Sequence, residues 1–343
     1  VDGTYDSEIT FGNEENAVYY LKQTENGYIA KVELGEIKYD LADPAAEITM
    51  AENKWNSFFN TVTFGYFFKE TQSITINASD ETSGIAKIEY FIATEEITDF
   101  ENAEWIEYTE AFTVQPNSKN IIYAKATDKA GRYVIVNTDG IVLYTDSQAV
   151  TSEATYILTS MEDVEFEIDF NGNEVAYIMY GGSYLVDPQY TATENGIKLH
   201  ANYIENAYTA GEYQFTVYVD PLGENFGYEG IGYDEYIEPH GDTPETITLT
   251  LTVKKLDGNV EITNDISKTY DGKAVSAPEY DIIGTGDVTV EYKVKGADDS
   301  TYTTEAPVNA GEYTVRITVA ETDKINSAEV RADFTNEQKA GTV

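Results

Sequence analysis

The sequence predicts an all-β chain built from several β-sandwich modules in series. Apolar and polar residues alternate with a period of two in many segments, most regularly from Thr246 to Val253. Turn signals rich in glycine, asparagine and aspartate separate these segments. With 343 residues, of which 41% are hydrophobic, the chain is long enough for two to three domains with cores of their own.

Residues 1–42 are predicted to be the last strands of a preceding module. The run from Tyr20 to Gly27 is similar to the run from Tyr123 to Gly131, and residues 35–39 correspond to residues 140–144. Both offsets are about 100 residues, which is the size of one sandwich. We therefore expect tandem repeats in an extended array.

The first complete module is predicted over residues 43–148. Alternation in Ser73 to Ala78 indicates a strand with one buried face. The turn Asp80-x-x-Ser83-Gly84, together with the run from Ala126 to Gly131, resembles bacterial immunoglobulin-like repeats of cell-surface proteins. That resemblance implies an immunoglobulin-like sandwich.

The tryptophans of this module have two interpretations. Flat aromatic rings can stack on sugars, so Trp55 with Phe58 and Phe59 could form a carbohydrate platform. Large apolar side chains in a module this small are mostly buried, which favours a place in the core. The same two interpretations apply to Trp105.

The second module, residues 149–256, has the clearest strand pattern. Val164, Phe166, Ile168 and Phe170 alternate with acidic residues, and Asn171-Gly172-Asn173 then predicts a tight hairpin. Further elements of this module resemble the X2 type of immunoglobulin-like module attached to bacterial polysaccharide-degrading enzymes. The residues that carry this resemblance are Asn171-Gly172-Asn173, Gly181 to Leu185, Tyr190, Ile197 to Leu199 and Tyr203. The resemblance implies either a spacer or a module that binds cellulose or cell wall.

The sequence departs from the X2 pattern between residues 220 and 245. Within this stretch, the segment from Leu222 to Tyr236 predicts a long inserted loop. Aromatic rings stack on sugars, and carboxylates bind hydroxyl groups or calcium. The candidate ligand-binding residues are Phe226, Tyr228, Tyr233 and Tyr236. The alternative is that these rings cover an edge of their own sheet.

The third module is predicted over residues 257–336, followed by a tail of residues 337–343. Tyr270-Asp271-Gly272, Asn309 to Tyr313 and Ala332 to Thr335 resemble the MBG class of bacterial immunoglobulin-like repeats, which occur in arrays on large secreted adhesins. The resemblance implies a small β-sandwich and says little about a ligand.

Acidic residues outnumber basic ones by 62 to 21, which gives a formal charge of −41. Such a surface repels nucleic acid and anionic membranes, so we expect neither as a partner. Clustered carboxylates could instead hold calcium. Asp80 and Asp128 are the candidate metal ligands, because both lie in turns that could meet at one end of the first module. The alternative is that each aspartate hydrogen-bonds to its own turn.

Catalytic motifs are hard to find. The chain has no cysteine, and its two imidazoles lie at His200, on a predicted strand, and at His240, in a predicted turn. Nucleophile elbows, phosphate-binding glycine loops and zinc-protease motifs are absent from the sequence. We therefore expect no enzymatic activity and no cofactor other than calcium.

These observations favour an extracellular, bacterial surface protein that acts as an adhesin stalk or spacer and displays a ligand-binding part. The alternative is a carbohydrate-binding accessory region of a secreted polysaccharide-active protein. Expected partners are a glycan, a host surface or a cell wall. We expect the chain to be a monomer.

Overall fold

The computed structural model describes residues 40–51, 53–55, 62–229 and 238–338 in full, together with the backbone of two short strands nearer the N-terminus. These strands, β1 (Tyr20–Lys22) and β2 (Ile29–Lys31), pair antiparallel. The remainder of the predicted partial module of residues 1–42 lies outside the described residues, apart from Asp40 to Ala42. The predicted core positions Phe58 and Phe59 also lie outside them.

The predicted all-β fold is confirmed. The chain divides into two compact units, which we call unit 1 and unit 2. Unit 1 consists of residues 1–147, 171–176 and 219–245, and unit 2 of residues 148–170, 177–218 and 246–343. The predicted second module thus contributes two of its segments to unit 1, and the predicted third module shares unit 2 with the rest of the second. The predicted domain limits themselves stay predictions.

Besides the pair β1-β2, the described part of unit 1 contains two sheets that enclose a common core. The first has the strand order β4-β3-β6-β9, and the second has the order β21-β5-β12-β10-β7-β8, with β11 also paired to β10. Their bounds are β3 (Ala45–Met50), β4 (Asn53–Trp55), β5 (Tyr66–Phe68), β6 (Gln72–Ser79), β7 (Ile85–Ala93), β8 (Ile106–Glu107), β9 (Phe112–Val114), β10 (Ser118–Asp128), β11 (Tyr133–Asn137), β12 (Ile141–Leu143) and β21 (His240–Gly241).

The core of unit 1 follows the predicted alternation. Ile74 and Ile76 of β6 are buried against Ile48 of β3, because the side chains of alternate strand residues point to the same face. Trp55 is also buried in this core, with its ring edge-on to Tyr66. The core interpretation of Trp55 is therefore confirmed. Trp105 is half-buried beside Phe91.

Unit 2 begins with a four-stranded sheet of order β13-β15-β19-β18 and a five-stranded sheet of order β14-β22-β20-β16-β17. A short helix, α1 (Ala201–Ala207), also lies in unit 2, whereas a 3-10 turn (Pro221–Gly223) further along the chain belongs to unit 1. The strands are β13 (Gln148–Ala149), β14 (Glu153–Ile157), β15 (Val164–Asp169), β16 (Glu174–Tyr180), β17 (Ser183–Tyr184), β18 (Tyr190–Thr193), β19 (Gly196–Leu199), β20 (Gly211–Asp220) and β22 (Ile247–Lys254).

The predicted periodicity of this region is confirmed strand by strand. Val164, Phe166 and Ile168 of β15 are buried while the acidic residues between them are exposed. In β22, Ile247, Leu249, Leu251 and Val253 are buried in the same way. The turn predicted after β15 is present, but the hairpin is not. The strands on either side of the turn lie in different sheets, because β15 pairs with β13 and β19 whereas β16 pairs with β17 and β20. Asn171 and Gly172 both have positive φ angles, 52° and 84°, as a tight two-residue turn requires.

The C-terminal part of unit 2 forms two further sheets, β23-β25 and β24-β28-β27-β26. Val315, Ile317 and Val319 are fully buried between them, with Phe334 and Tyr292. The bounds are β23 (Asn259–Ile262), β24 (Lys268–Thr269), β25 (Tyr280–Ile283), β26 (Val288–Val294), β27 (Gly311–Val319) and β28 (Ala328–Glu337), with a second 3-10 turn at Asp299–Thr301.

One strand pairing recurs in each of the three sandwiches that the described residues form, the first in unit 1 and the other two in unit 2. An early strand pairs in parallel with the last strand, whereas nearly all other neighbours are antiparallel. The pairs are β5 with β12, β14 with β22, and β24 with β28. The pair β14 and β22 is the longest, with Glu153 to Ile157 alongside Thr250 to Lys254.

Candidate functional site

The loop predicted to bind a ligand is partly built into unit 1. Phe226 is only 6% exposed and lies in a cluster with Phe67, Val142 and Tyr144. The Phe226 ring meets Phe67 edge-on at 5.0 Å between centroids. Tyr228 packs against the same cluster, and its hydroxyl donates to the carbonyl oxygen of Val219 at 2.7 Å.

A ring that stacks on a sugar must be exposed, and the Phe226 ring is buried. For Phe226 and Tyr228 the geometry therefore favours the alternative interpretation, in which the loop aromatics cover a sheet. Tyr233 and Tyr236 lie outside the described residues. Their assignment as ligand-binding residues stays a prediction.

Polar contacts hold the start of this loop in unit 1. Lys119 Nζ lies 2.7 Å from Glu224 Oε1, and the backbone N–H of Phe226 donates to Asp220 Oδ1 at 3.0 Å. Burial raises the pKa of Asp220. The hydrogen bond from Phe226 opposes this increase, whereas the negative charges of the nearby Glu174 and Glu224 add to it. The first turn of the loop is therefore fixed by specific bonds.

The far end of the loop extends a sheet. Strand β21 pairs in parallel with β5, although its sequence, Pro239-His240-Gly241, predicted a turn. The prediction for His240 was therefore wrong, because two residues are too few for strand periodicity to show. Gly241 has a φ angle of 99°, and a Cβ atom there would lie 2.1 Å from the carbonyl oxygen of Phe67. Only glycine allows this close approach.

The two predicted metal ligands lie close together. One carboxylate oxygen from each of Asp80, Asp128 and Asp40 falls within 4.8 Å of the other two. Asp80 also caps its own turn, since Oδ1 accepts from the N–H groups of Ser83 and Gly84 at 2.7 and 2.8 Å. These hydrogen bonds, that of Gly84 first, lower the pKa of Asp80. Asp40 was not predicted as a ligand, because it is 40 residues from Asp80 in the sequence.

A second aromatic surface lies on the five-stranded sheet of unit 2, on the face opposite the buried residues of β20. The rings of Tyr177 and Tyr218 stack with centroids 4.3 Å apart, and Tyr184 meets Tyr177 edge-on at 5.3 Å. Tyr184 is 46% exposed. Thr216 and Thr248 face each other across β20 and β22 beside this patch. We call Tyr177, Tyr184 and Tyr218 the tyrosine patch.

The tyrosine patch was not predicted from the sequence. Its members come from three different strands, β16, β17 and β20, so their proximity depends on strand order. The sequence does indicate the face on which Tyr218 lies. Tyr218 stands between Val217 and Val219, which are buried, so its side chain points to the opposite face of the strand.

His200 lies immediately before α1 and forms local polar contacts. Its Nε2 lies 2.9 Å from Thr191 Oγ1, and its Nδ1 lies 3.4 Å from Asp163 Oδ2. Asp163 also accepts from the N–H of Ala201, and this bond, more than the contact with His200, lowers the pKa of Asp163. The histidine thus helps to anchor the start of the helix.

Glu205 of α1 connects the helix to two other parts of unit 2. Its carboxylate is nearly buried and accepts from the Tyr156 hydroxyl at 2.9 Å, from the N–H of Thr159 and from Lys324 Nζ. Burial alone raises the pKa of Glu205, but these three donors outweigh it and the pKa is lowered. The carboxylate is therefore ionised at neutral pH, as a structural ion pair requires.

No helix in the described part of the chain is long and apolar enough to cross a membrane.

Comparison with known proteins identifies one family. Residues 257–343 match the family model described as MBG domain. None of the curated protein sequences matches this chain.

Among solved structures, the chain is similar to a tri-modular endo-β-1,4-glucanase from Bacillus licheniformis in complex with cellotetraose, with 13% identity and a TM-score of 0.28. The match covers 55% of this chain and 37% of that one, so the chain spans well under half of the glucanase. It is also similar to the Bacteroides ovatus protein SGBP-B of a mixed-linkage glucan utilisation locus, solved with a heptasaccharide (13% identity, 88% of this chain, 72% of that chain, TM-score 0.21). A third match is to the titin Ig tandem A164-A165 (11% identity, 61% of this chain, 97% of that chain, TM-score 0.25).

The resemblance predicted for the C-terminal segment is thereby confirmed: residues 257–343 of this all-β chain match the MBG domain family.

Proposed function

We propose that this chain is a mechanical spacer in the extracellular part of a bacterial multidomain surface protein. The observation that carries the proposal is the parallel pairing of an early strand with the last strand in each sandwich. The MBG match and the strongly acidic composition support the placement outside the cell. A self-repelling acidic surface also keeps such a protein soluble.

Parallel pairing determines how a stretching force acts on the sandwich. A force along the chain pulls the early strand from its N-terminal end and the last strand from its C-terminal end. In a parallel pair these ends are opposite, so the strands are sheared and all hydrogen bonds between them are strained together. In an antiparallel pair the same force would open the bonds one after another. A sandwich closed by a parallel pair therefore resists extension better than one closed by an antiparallel pair.

Force spectroscopy on the full chain tests this proposal, because the sequence has no cysteine and engineered cysteines give unique attachment points. Attachment through Ser152→Cys and Lys254→Cys shears β14 against β22, whereas attachment through Ser160→Cys and Lys254→Cys pulls the pair apart from one end. We expect a clearly higher mean unfolding force in the first geometry. All three positions are exposed, which limits damage to the fold. Equal forces in the two geometries would contradict the proposal.

A second candidate function, glycan binding, is favoured by the tyrosine patch. Tyr184 is exposed, and the rings of Tyr177 and Tyr218 beside it are half-buried. An exposed ring next to hydroxyl groups can stack on a sugar and hydrogen-bond to it. Under this hypothesis the ligand contacts the sheet face of unit 2. The segment from Leu222 to Tyr236 then need not take part.

Glycan binding is tested by affinity electrophoresis of the full chain in soluble β-glucan and by pull-down with insoluble cellulose. If the patch binds, the double variant Tyr177→Ala, Tyr184→Ala is expected to bind at least about tenfold more weakly, since each lost aromatic contact costs roughly 1 kcal/mol. Tyr133→Ala is the matched control, because Tyr133 is exposed in unit 1. Failure of the unmodified chain to bind, or equal binding by the double variant, rules out this function for the patch.

A further inference from the structure

Three aspartates from distant parts of the sequence meet at one end of the first sandwich in unit 1. Asp40 precedes β3, Asp80 follows β6 and Asp128 ends β10. The pairing of Ala45 with Ser79 brings the start of β3 beside the turn at Asp80, and the pairing of Ile85 with Asp128 brings β10 to the same turn. One carboxylate oxygen of each residue lies within 4.8 Å of the other two.

Each carboxylate uses its Oδ1 atom to hold its own turn. Asp40 Oδ1 accepts from the N–H of Ala42 at 3.0 Å, and Asp128 Oδ1 accepts from the N–H of Arg132 at 2.9 Å. The hydrogen bonds to Asp80 likewise all end on Oδ1. The turns therefore fix the three carboxylates in place.

The second oxygens of two of these groups are buried without a partner. Asp40 is 8% exposed and Asp128 is 1% exposed, and the Oδ2 atoms of both have no hydrogen bond. Buried carboxylate oxygens are nearly always hydrogen-bonded, paired with a cation or bound to a metal. Two such oxygens beside a third carboxylate thus indicate a missing positive charge.

The nearby basic side chains do not supply that charge. Arg132 is directed to Asp43, with its Nε and terminal nitrogen 2.9 and 2.6 Å from Asp43 Oδ1. Lys129 Nζ lies near Gly84. Within the described residues, no ion pair of 4.0 Å or less joins Lys129 or Arg132 to Asp40, Asp80 or Asp128.

The three oxygens are close enough together to bind one calcium ion. Ca²⁺ binds oxygen at 2.3–2.6 Å, so two oxygens bound to one ion are at most about 5 Å apart, and the three oxygens lie within 4.8 Å of one another. Mg²⁺ binds at 2.0–2.1 Å and requires a tighter, regular octahedron. We propose that Asp40, Asp80 and Asp128 form a Ca²⁺ site, with backbone carbonyl oxygens and water completing the coordination.

This site goes beyond the spacer function, because its ligands do not belong to the parallel strand pairs. The turns that carry Asp80 and Asp128 are already joined by the hydrogen bond from the N–H of Lys129 to the carbonyl oxygen of Gly84. A bound ion would also connect Asp40 to these two turns. Calcium would then fix the chain at the start of the first sandwich.

Isothermal titration of the full, EGTA-treated chain with CaCl₂ tests the proposal. We expect one Ca²⁺ per chain at this site, with a Kd of about 10⁻⁴ to 10⁻³ M, as in other extracellular modules. Thermal unfolding followed by tryptophan fluorescence should shift upward with calcium, because Trp55 and Trp105 both lie in unit 1. MgCl₂ should bind at least about tenfold more weakly, given the geometry that Mg²⁺ requires.

Asp40→Asn and Asp128→Asn keep the shape of the side chain and remove one charge each, and both should lose the binding event and the thermal shift. Asp298→Asn is the control, because Asp298 holds a similar turn in unit 2, with Ser300 N–H donating to Oδ1 at 2.9 Å. Asp128 is the more deeply buried of the two ligands, so Asp40→Asn decides the test if the Asp128 variant does not fold. Absence of calcium binding by the unmodified chain, equal affinity for Mg²⁺, or unchanged binding by Asp40→Asn would overturn the proposal.

Discussion

Replacing Phe226 with alanine is expected to lower the free energy of unfolding of unit 1 by about 3 to 5 kcal/mol, the usual cost of removing a buried phenylalanine ring. Phe226 is buried against Phe67, Val142 and Tyr144, although it lies more than 80 residues from each of them in sequence. The variant would leave a cavity lined by these side chains. The loop would also lose its main apolar contact with the sheet.

Urea unfolding followed by tryptophan fluorescence measures this loss selectively. The only two tryptophans, Trp55 and Trp105, lie in unit 1. Phe226→Leu is the matched control and should lose much less stability, because it keeps most of the apolar volume. A loss below about 1 kcal/mol for Phe226→Ala would show that the ring is not a core residue. The ligand-binding interpretation of Phe226 would then regain support.

Local patterns predicted the fold of individual elements well. Alternation in β15 and β22 placed the buried residues correctly, and Asn171-Gly172 identified a tight turn, because each depends only on neighbours in the chain. The hairpin predicted at this turn was wrong, because β15 and β16 pair within different sheets. The burial of Trp55 followed from its size and from the small volume of the module.

The sheet against which the long loop packs could not be predicted in the same way. Composition showed that the segment after Leu222 is rich in aromatic residues, but nothing in its periodicity indicates which sheet it covers. Phe226 and β21 belong to unit 1, while β22, which follows them in sequence, belongs to unit 2. Such long-range choices depend on shape and on exposed sheet edges, and neither has a local signature.

The cluster of Asp40, Asp80 and Asp128 was predicted in part. Asp80 and Asp128 were expected to meet because both lie in recognisable turns at strand ends. Asp40 joins them only through the antiparallel pairing of β3 with β6, and its burial depends on that contact. The tyrosine patch was missed for a similar reason, since strand order decides which tyrosines are neighbours.

Replacing Ala154 with proline is expected to lower the resistance to stretching of the sandwich that the pair β14 and β22 closes. The backbone N–H of Thr250 donates to the carbonyl oxygen of Ser152, and the N–H of Leu158 donates to the carbonyl oxygen of Lys254. These two bonds show which residues of β14 direct their backbone groups toward β22. In a parallel ladder the residues between these ends alternate, so the N–H of Ala154 is directed to β22 and that of Thr155 away from it. Proline has no N–H and therefore removes a bond of the ladder only at position 154.

Thr155→Pro is the matched control. Thr155 is exposed, and β14 is the edge strand of its sheet, where a proline whose missing N–H would face away from the sheet is tolerated. The two variants carry the same ring one residue apart in the same strand. Any difference between them therefore reports the hydrogen bonds to β22.

Force-clamp unfolding of the full chain, stretched from its ends, tests directly whether the parallel strand pairs resist extension. A lost hydrogen bond costs about 1 kcal/mol, so Ala154→Pro should unfold this sandwich about fivefold faster or more at the same force. Thr155→Pro should stay close to the unmodified chain. If both variants unfold at the rate of the unmodified chain, the pair β14 and β22 carries no force, and the spacer mechanism proposed for this protein is wrong.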